Sequence, residues 1–229
     1  MKKKVFKIKR LGLASIIISC FLFFGFKENT PKLFVIGDSI SMHYGPLLEK
    51  SLTGFFIYDR KRGNESSLDN PNGANGGDSK MVVSYLKELK KNPNFKTDYL
   101  LINCGLHDIK RNSKKSNPQI SLSQYSKNLI EIISISKELG AKLIWINSTP
   151  VVDSIHNSKV GFIRFNEDVI KYNNESTKIM KEAGIPVIDI NTFTMKFIPE
   201  GYIDHIHYNN EIRQKQADFI AGSLVAIKC

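Results

Sequence analysis

Four short polar stretches carry residue types that can do chemistry. Asp204 and His207 stand three residues apart near the C-terminal end. On one turn, side chains at i and i+3 lie close together. A carboxylate placed there can hold an imidazole by one ring nitrogen and leave the other free as a base. Gly37-Asp38-Ser39 offers a serine hydroxyl, and by itself it also reads as a helix N-cap, since Asp and Ser are favoured there. Gly76-Gly77 reads as a turn or as an oxyanion donor. Gly105-Leu106-His107-Asp108 adds a histidine and a second carboxylate, and His107 alone reads as a hydrogen-bonded loop residue.

These stretches fall between elements of two kinds. Apolar runs at residues 32–36, 54–58, 99–103, 142–146 and 186–190 read as buried parallel strands. Between them, residues 40–52, 78–91, 121–139 and 161–183 have helical spacing, and 210–226 forms a closing amphipathic helix. Asp78 or Ser79 can cap the second of these. Residues 59–77 are rich in Gly, Asn and Ser and read as a loop, as does the polar stretch 105–120. Strands alternating with helices predict a three-layer α/β/α sandwich around a central parallel sheet of about five strands. In open sheets of this kind, sites form beyond the carboxyl ends of the strands. Ser39, Gly77, His107, Asp204 and His207 all follow strands in the chain, on the edge where a pocket is expected.

The chain has 229 residues, enough for one domain and a short appendage. Its 33 Lys+Arg and 22 Asp+Glu give a net charge of +11. That excess does not mark a nucleic-acid binder, because more than half of it sits in the first 28 residues, where seven basic side chains meet a single acid. Six of them fall within the first ten residues and precede an apolar run from Leu11 to Phe26. This is the architecture of a signal peptide or N-terminal membrane anchor, with the basic side cytoplasmic. Residues 1–28 are therefore read as a leader and 29–229 as the working domain, exported to the periplasm or cell envelope. Cys20 lies inside the apolar run, as a small buried residue or as a lipoprotein acylation site. Cys104 and Cys229 complete the cysteines, too few for a disulfide framework.

Taken together, Gly-Asp-Ser after the first strand, a glycine in the second loop, Gly-x-x-Asp after the third strand and Asp-x-x-His near the C-terminus are similar to the SGNH (GDSL-type) esterase superfamily. The likeness runs over residues 32–226. Asn75-Gly76-Gly77-Asp78-Ser79, Ser148-Thr149-Pro150, the helix from Phe165-Asn166 to Tyr172-Asn173 and Ile185 to Asp189 support it. The resemblance implies that Ser39 is the nucleophile, His207 the general base and Asp204 its orienting carboxylate. It implies an oxyanion hole from the backbone N–H groups of Ser39 and Gly77. The family's third block usually reads Gly-x-Asn-Asp, with the Asn amide as a further donor. Here His107 stands at that position, and a histidine can also donate an N–H.

A serine esterase acting on a small acyl ester is the leading expectation, with an O-acetyl group on a carbohydrate as substrate and no cofactor. A lysophospholipase or thioesterase, an acyltransferase, or a carbohydrate-binding domain without activity are the alternatives within the fold. A metal site built on His107, His205 and His207 is disfavoured, because His207 is already engaged and serine catalysis needs no metal. A ring N–H of His107 is expected to point between Ser39 and Gly77, with a partner on the other ring nitrogen fixing the tautomer.

Overall fold

The computed structural model describes residues 30–63 and 73–229. The leader with Cys20 and part of the Gly/Asn-rich loop lie outside the described residues. The sheet has five strands: β1 (Lys32–Ile36), β2 (Ile57–Arg60), β3 (Tyr99–Ile102), β4 (Lys142–Ile146) and β5 (Val187–Ile188). All pairings are parallel, in the order β2-β1-β3-β4-β5. The central strand β3 is buried along its whole length, and burying Leu100, Leu101 and Ile102 stabilises the fold by roughly 1.5–3 kcal/mol per side chain.

The longer helices are α1 (Ser39–Ser51), α2 (Ser79–Lys91), α3 (Leu122–Glu138), α5 (Asn166–Glu182) and α7 (Asn210–Lys228). The short α4 (Asp153–Lys159) and α6 (Ile190–Thr194) fill two connections. Helix α1 packs on α7, while α3 packs on both α2 and α5. Strand order reverses between β1 and β3, because the chain leaves β1 towards one edge and returns past it. At such a switch point the two following loops diverge and leave a crevice. Ser39 follows β1 and the 103–111 loop follows β3, so both open onto it.

Several elements differ from the sequence expectation, among them the fifth strand, which is confined to Val187–Ile188 because Asp189 caps α6 and Ile190 opens it. The second strand begins at Ile57 rather than at 54, because Gly54 takes φ +85° and the turn after α1 runs through Phe55. Phe55 and Ile57 are half exposed, so this apolar run marks an edge strand and not a core one. Helix α5 begins at Asn166 rather than 161. Residues 161–165 are instead extended, and Ile163 exchanges two backbone hydrogen bonds with Arg111. The stretch 151–160, left without an element by periodicity, contains α4.

Candidate active site

Asp38 caps α1 by accepting from the backbone N–H groups of Ile40 (3.0 Å) and Ser41 (3.3 Å). The capping role read from the sequence is thus real, and it sets Ser39 as the first helical residue. The N–H of that position has no partner within the helix and lies at the positive end of its dipole. Arg60 steadies the same turn, donating from Nη1 to the Ser41 carbonyl at 2.9 Å.

The Asp204–His207 pair sits in a turn closed by a bridge between Tyr202 and Tyr208 and by the Ile203 amide donating to the His207 carbonyl. Tyr202 Oη ties this turn to the Pro150 carbonyl at 2.9 Å. Asp204 Oδ1 accepts from the amides of Ile206 and His207, both at 2.8 Å, and Oδ2 lies 2.7 Å from His207 Nδ1. Partial burial opposes ionisation of Asp204, but the two amides and the His207 ring outweigh it and hold the carboxyl well below the usual range. A carboxylate only accepts, so Nδ1 carries the ring proton and Nε2 is the free acceptor. Nε2 lies 2.8 Å from Ser39 Oγ. The structure therefore brings Ser39, His207 and Asp204 into one hydrogen-bonded chain. His205 does not join it. Its Nδ1 faces His156 Nδ1 at 3.0 Å, and its ring centroid is 5.9 Å from that of His207. The ring of His43, which belongs to none of the four polar stretches, packs 4.7 Å from the His207 ring, centroid to centroid. Burial, then the His207 and Arg213 charges, lower the His43 pKa to about 4.

Gly77 has φ +72°, a left-handed conformation that glycine adopts without strain. Its N–H donates to Asn75 Oδ1 at 2.9 Å. The amide expected as an oxyanion donor is thus held by a neighbouring carboxamide.

The third block is anchored from several sides. A Cβ on Gly105, at φ +150°, would meet Ser148 Oγ at 2.4 Å, so only glycine allows this approach to the end of β4. Asp108 is fully buried and accepts from both the backbone N–H and the hydroxyl of Ser79, while Asn128 donates to the same hydroxyl. Burial raises the Asp108 pKa to about 7 against the lowering effect of the Ser79 bonds. Asp108 therefore ties the second and third blocks together and does not act on His107. His107 is 6% exposed, and its ring makes no hydrogen bond with the described residues. The expected partner on the far ring nitrogen is absent among them. Burial, followed by the charges of Arg164 and Lys110, lowers its pKa to about 3, so the ring is neutral at ordinary pH. Arg164 gives no signal in the sequence, being a lone basic residue in a short aromatic stretch.

Among the described residues, no three His, Cys, Asp or Glu side chains cluster as a metal site requires, and no helix is long and apolar enough to cross a membrane.

The GDSL-like lipase/acylhydrolase family matches residues 33–220, and the chain belongs to it. It is accordingly a carboxylic ester hydrolase. Solved structures with the same fold include a lipase/acylhydrolase from Enterococcus faecalis, at 14% identity and a TM-score of 0.63, covering 86% of this chain and 96% of the other. The acetyl xylan esterase AlAXEase aligns at 18% identity and a TM-score of 0.62, covering 84% and 99%. Est24, a carbohydrate acetylesterase from Sinorhizobium meliloti, aligns at 17% and 0.56, covering 86% and 99%. No curated protein matches the sequence.

Proposed function

We propose that the protein is a serine esterase that removes a small acyl group, an O-acetyl group, from a carbohydrate. The observation that carries this reading is the chain of bonds from Ser39 Oγ through His207 to Asp204. Ser39 Oγ attacks the acyl carbon while its proton passes to His207 Nε2, which a free serine hydroxyl could not achieve unaided. Asp204 steadies the imidazolium. The oxyanion is taken by the N–H groups of Ser39 and Gly77 and by a ring N–H of His107. For Gly77 to serve, the oxyanion displaces the Asn75 carboxamide from the amide it now occupies. Collapse of the intermediate expels the alcohol, which takes the proton from His207. Water then repeats the sequence on the acyl-Ser39 ester.

The carbohydrate acetyl ester is supported by the likeness to an acetyl xylan esterase and a carbohydrate acetylesterase, and by the polar loops around the crevice. The basic leader followed by an apolar run supports export, with the domain held at the outer side of the inner membrane. Hydrolysis of p-nitrophenyl acetate, butyrate and palmitate and of acetylated xylan tests the substrate. Activity falling with chain length, and acetate released from the xylan, are expected. A preference for palmitate moves the assignment to a lysophospholipase or thioesterase. Ser39→Ala should lower kcat/KM by about 10⁴–10⁶ with the fold intact. Retention of more than about a tenth of the activity, a loss below ~1.4 kcal/mol, removes Ser39 from the nucleophile's role.

A further inference from the structure

His107 has no hydrogen bond among the described residues to fix its ring, so its aim rests on packing and on the backbone that carries it. Arg164 is placed to hold that backbone. Its side chain is 3% exposed, and its Nε donates to the carbonyl of Leu106, the residue before His107, at 2.7 Å. Arg164 is itself held rigidly. Asn157 on α4 accepts from its N–H at 3.0 Å and donates to its carbonyl at 2.9 Å. The neighbouring Ile163 is paired with Arg111, whose guanidinium grips Asp168 on α5 through Nε (2.9 Å) and Nη2 (2.8 Å). The Phe162 ring lies 4.8 Å beneath the Arg164 guanidinium. The segment between α4 and α5 thus forms a clamp that reaches inward through the Arg164–Leu106 bond.

We infer that Arg164 is the positioning residue of the oxyanion site: by holding the Leu106 carbonyl it sets the rotation of the 105–108 backbone and, through it, the direction of the His107 ring. This rests on the reading of His107 as an oxyanion donor. The guanidinium has a second effect that serves the same end. Its field reaches His107 and discourages protonation of that ring, and it also bears on Asp38, next to Ser39. A neutral, aimed imidazole is what donation of one N–H requires, and a carbonyl anchor with a fixed positive charge supplies both conditions.

A double-mutant cycle on the full chain, read with p-nitrophenyl acetate, tests this. Arg164→Met is expected to lower kcat by about 10- to 100-fold, less than outright loss of a donor, with KM moving less than about threefold. Arg164→Lys, which can still reach a carbonyl, should recover part of that loss. In a His107→Ala background, Arg164→Met should change kcat by less than about threefold, because the residue it acts through is gone. Losses that multiply in the double variant overturn the inference, as does an Arg164→Met enzyme with kcat within about threefold of wild type. So does a loss that falls on KM alone. If Arg164→Met does not fold, judged by its thermal transition, the same cycle is run with Arg164→Lys, whose smaller loss must likewise vanish in the His107→Ala background. An active Ser39→Ala sinks the esterase reading itself, whereas multiplying losses in an enzyme that still needs Ser39 sink only the role of Arg164.

Discussion

The 202–208 turn and the 103–111 loop each carry a histidine at the mouth of the sheet, and they hold it by opposite means. In the turn, Asp204, three residues away, holds both the His207 amide and its Nδ1, which leaves Nε2 to meet Ser39. In the loop, local backbone bonds close the turn, Ile109 N–H to the Gly105 carbonyl and Lys110 N–H to the His107 carbonyl, but no neighbouring side chain among the described residues bonds the His107 ring. Its surroundings are fixed by Ser79 on Asp108, by Arg164 on Leu106 and by Ile163 on Arg111, all from distant parts of the chain. A histidine held locally keeps its geometry when the scaffold shifts. One held remotely depends on several elements docking at once, and damage far from the crevice reaches it.

The sharpest way to break the local arrangement is His207→Ala, which should cost on the order of 10⁴–10⁶ in kcat/KM, with Asp204→Asn damaging but less so. Steady-state kinetics on a soluble acetate ester measures both, and an Asp204→Asn enzyme weaker than His207→Ala would contradict the ordering. Next in size comes the remote arrangement. His107→Ala should lose about 10²–10³ in kcat, or roughly 2.7–4 kcal/mol, with KM little changed, and His107→Asn should retain more than the alanine variant. A kcat within about threefold of wild type, under 1 kcal/mol, would mean that His107 donates nothing.

Acid should act on the remote side through stability. His107 and His156 are buried, and burial is the main cause that lowers each pKa to about 3. In the unfolded chain they titrate near 6.5. Between those values the unfolded state binds the extra protons, so stability is full above about pH 6.5 and falls as the pH drops. These two rings contribute a loss on the order of 3 kcal/mol by pH 5; His43, lowered to about 4, adds to it, and Asp108, raised to about 7, works against it. Urea unfolding at pH 7 and pH 5 measures the sum, and His156→Leu should remove the His156 share, about half of what the two rings contribute. A His156→Leu variant whose stability changes between pH 7 and pH 5 as much as the wild type's would show that the His156 ring is not held neutral.

Asp108→Ala should destabilise the domain by about 1–3 kcal/mol, since it leaves the buried Ser79 amide without its acceptor. The same variant should lower kcat, because the second and third blocks are no longer tied. The smallest effect is expected at His205→Ala, where the ring faces His156 and not Ser39, and kcat should stay within about threefold. A large loss there would transfer to His205 the role given to His207.

How far the sequence could be read follows the same division. Strands β1, β3 and β4 lie where the apolar runs put them, because a strand buried on both faces leaves a continuous apolar signature. The edge strand β2 lies three residues later than its apolar run, since Phe55 and Ile57 are half exposed and burial was not what placed them. The 161–165 segment has helical periodicity on paper but is extended, because pairing with Arg111 offers its backbone a partner that only the folded chain brings near.

The amino-acid order by itself determined the Asp204–His207 pair, the Asp38 cap on α1 and the placing of each polar cluster after a strand. These rest on contacts within four residues or on strand polarity. Tertiary structure alone decided that Ser39 lies within hydrogen-bond reach of a histidine 168 residues away, that Asp108 turns to Ser79, and that Arg164 stands behind His107. The physical reason is that a short spacing confines two side chains to a few relative positions, whereas a long one leaves their meeting to the packing of every element between them.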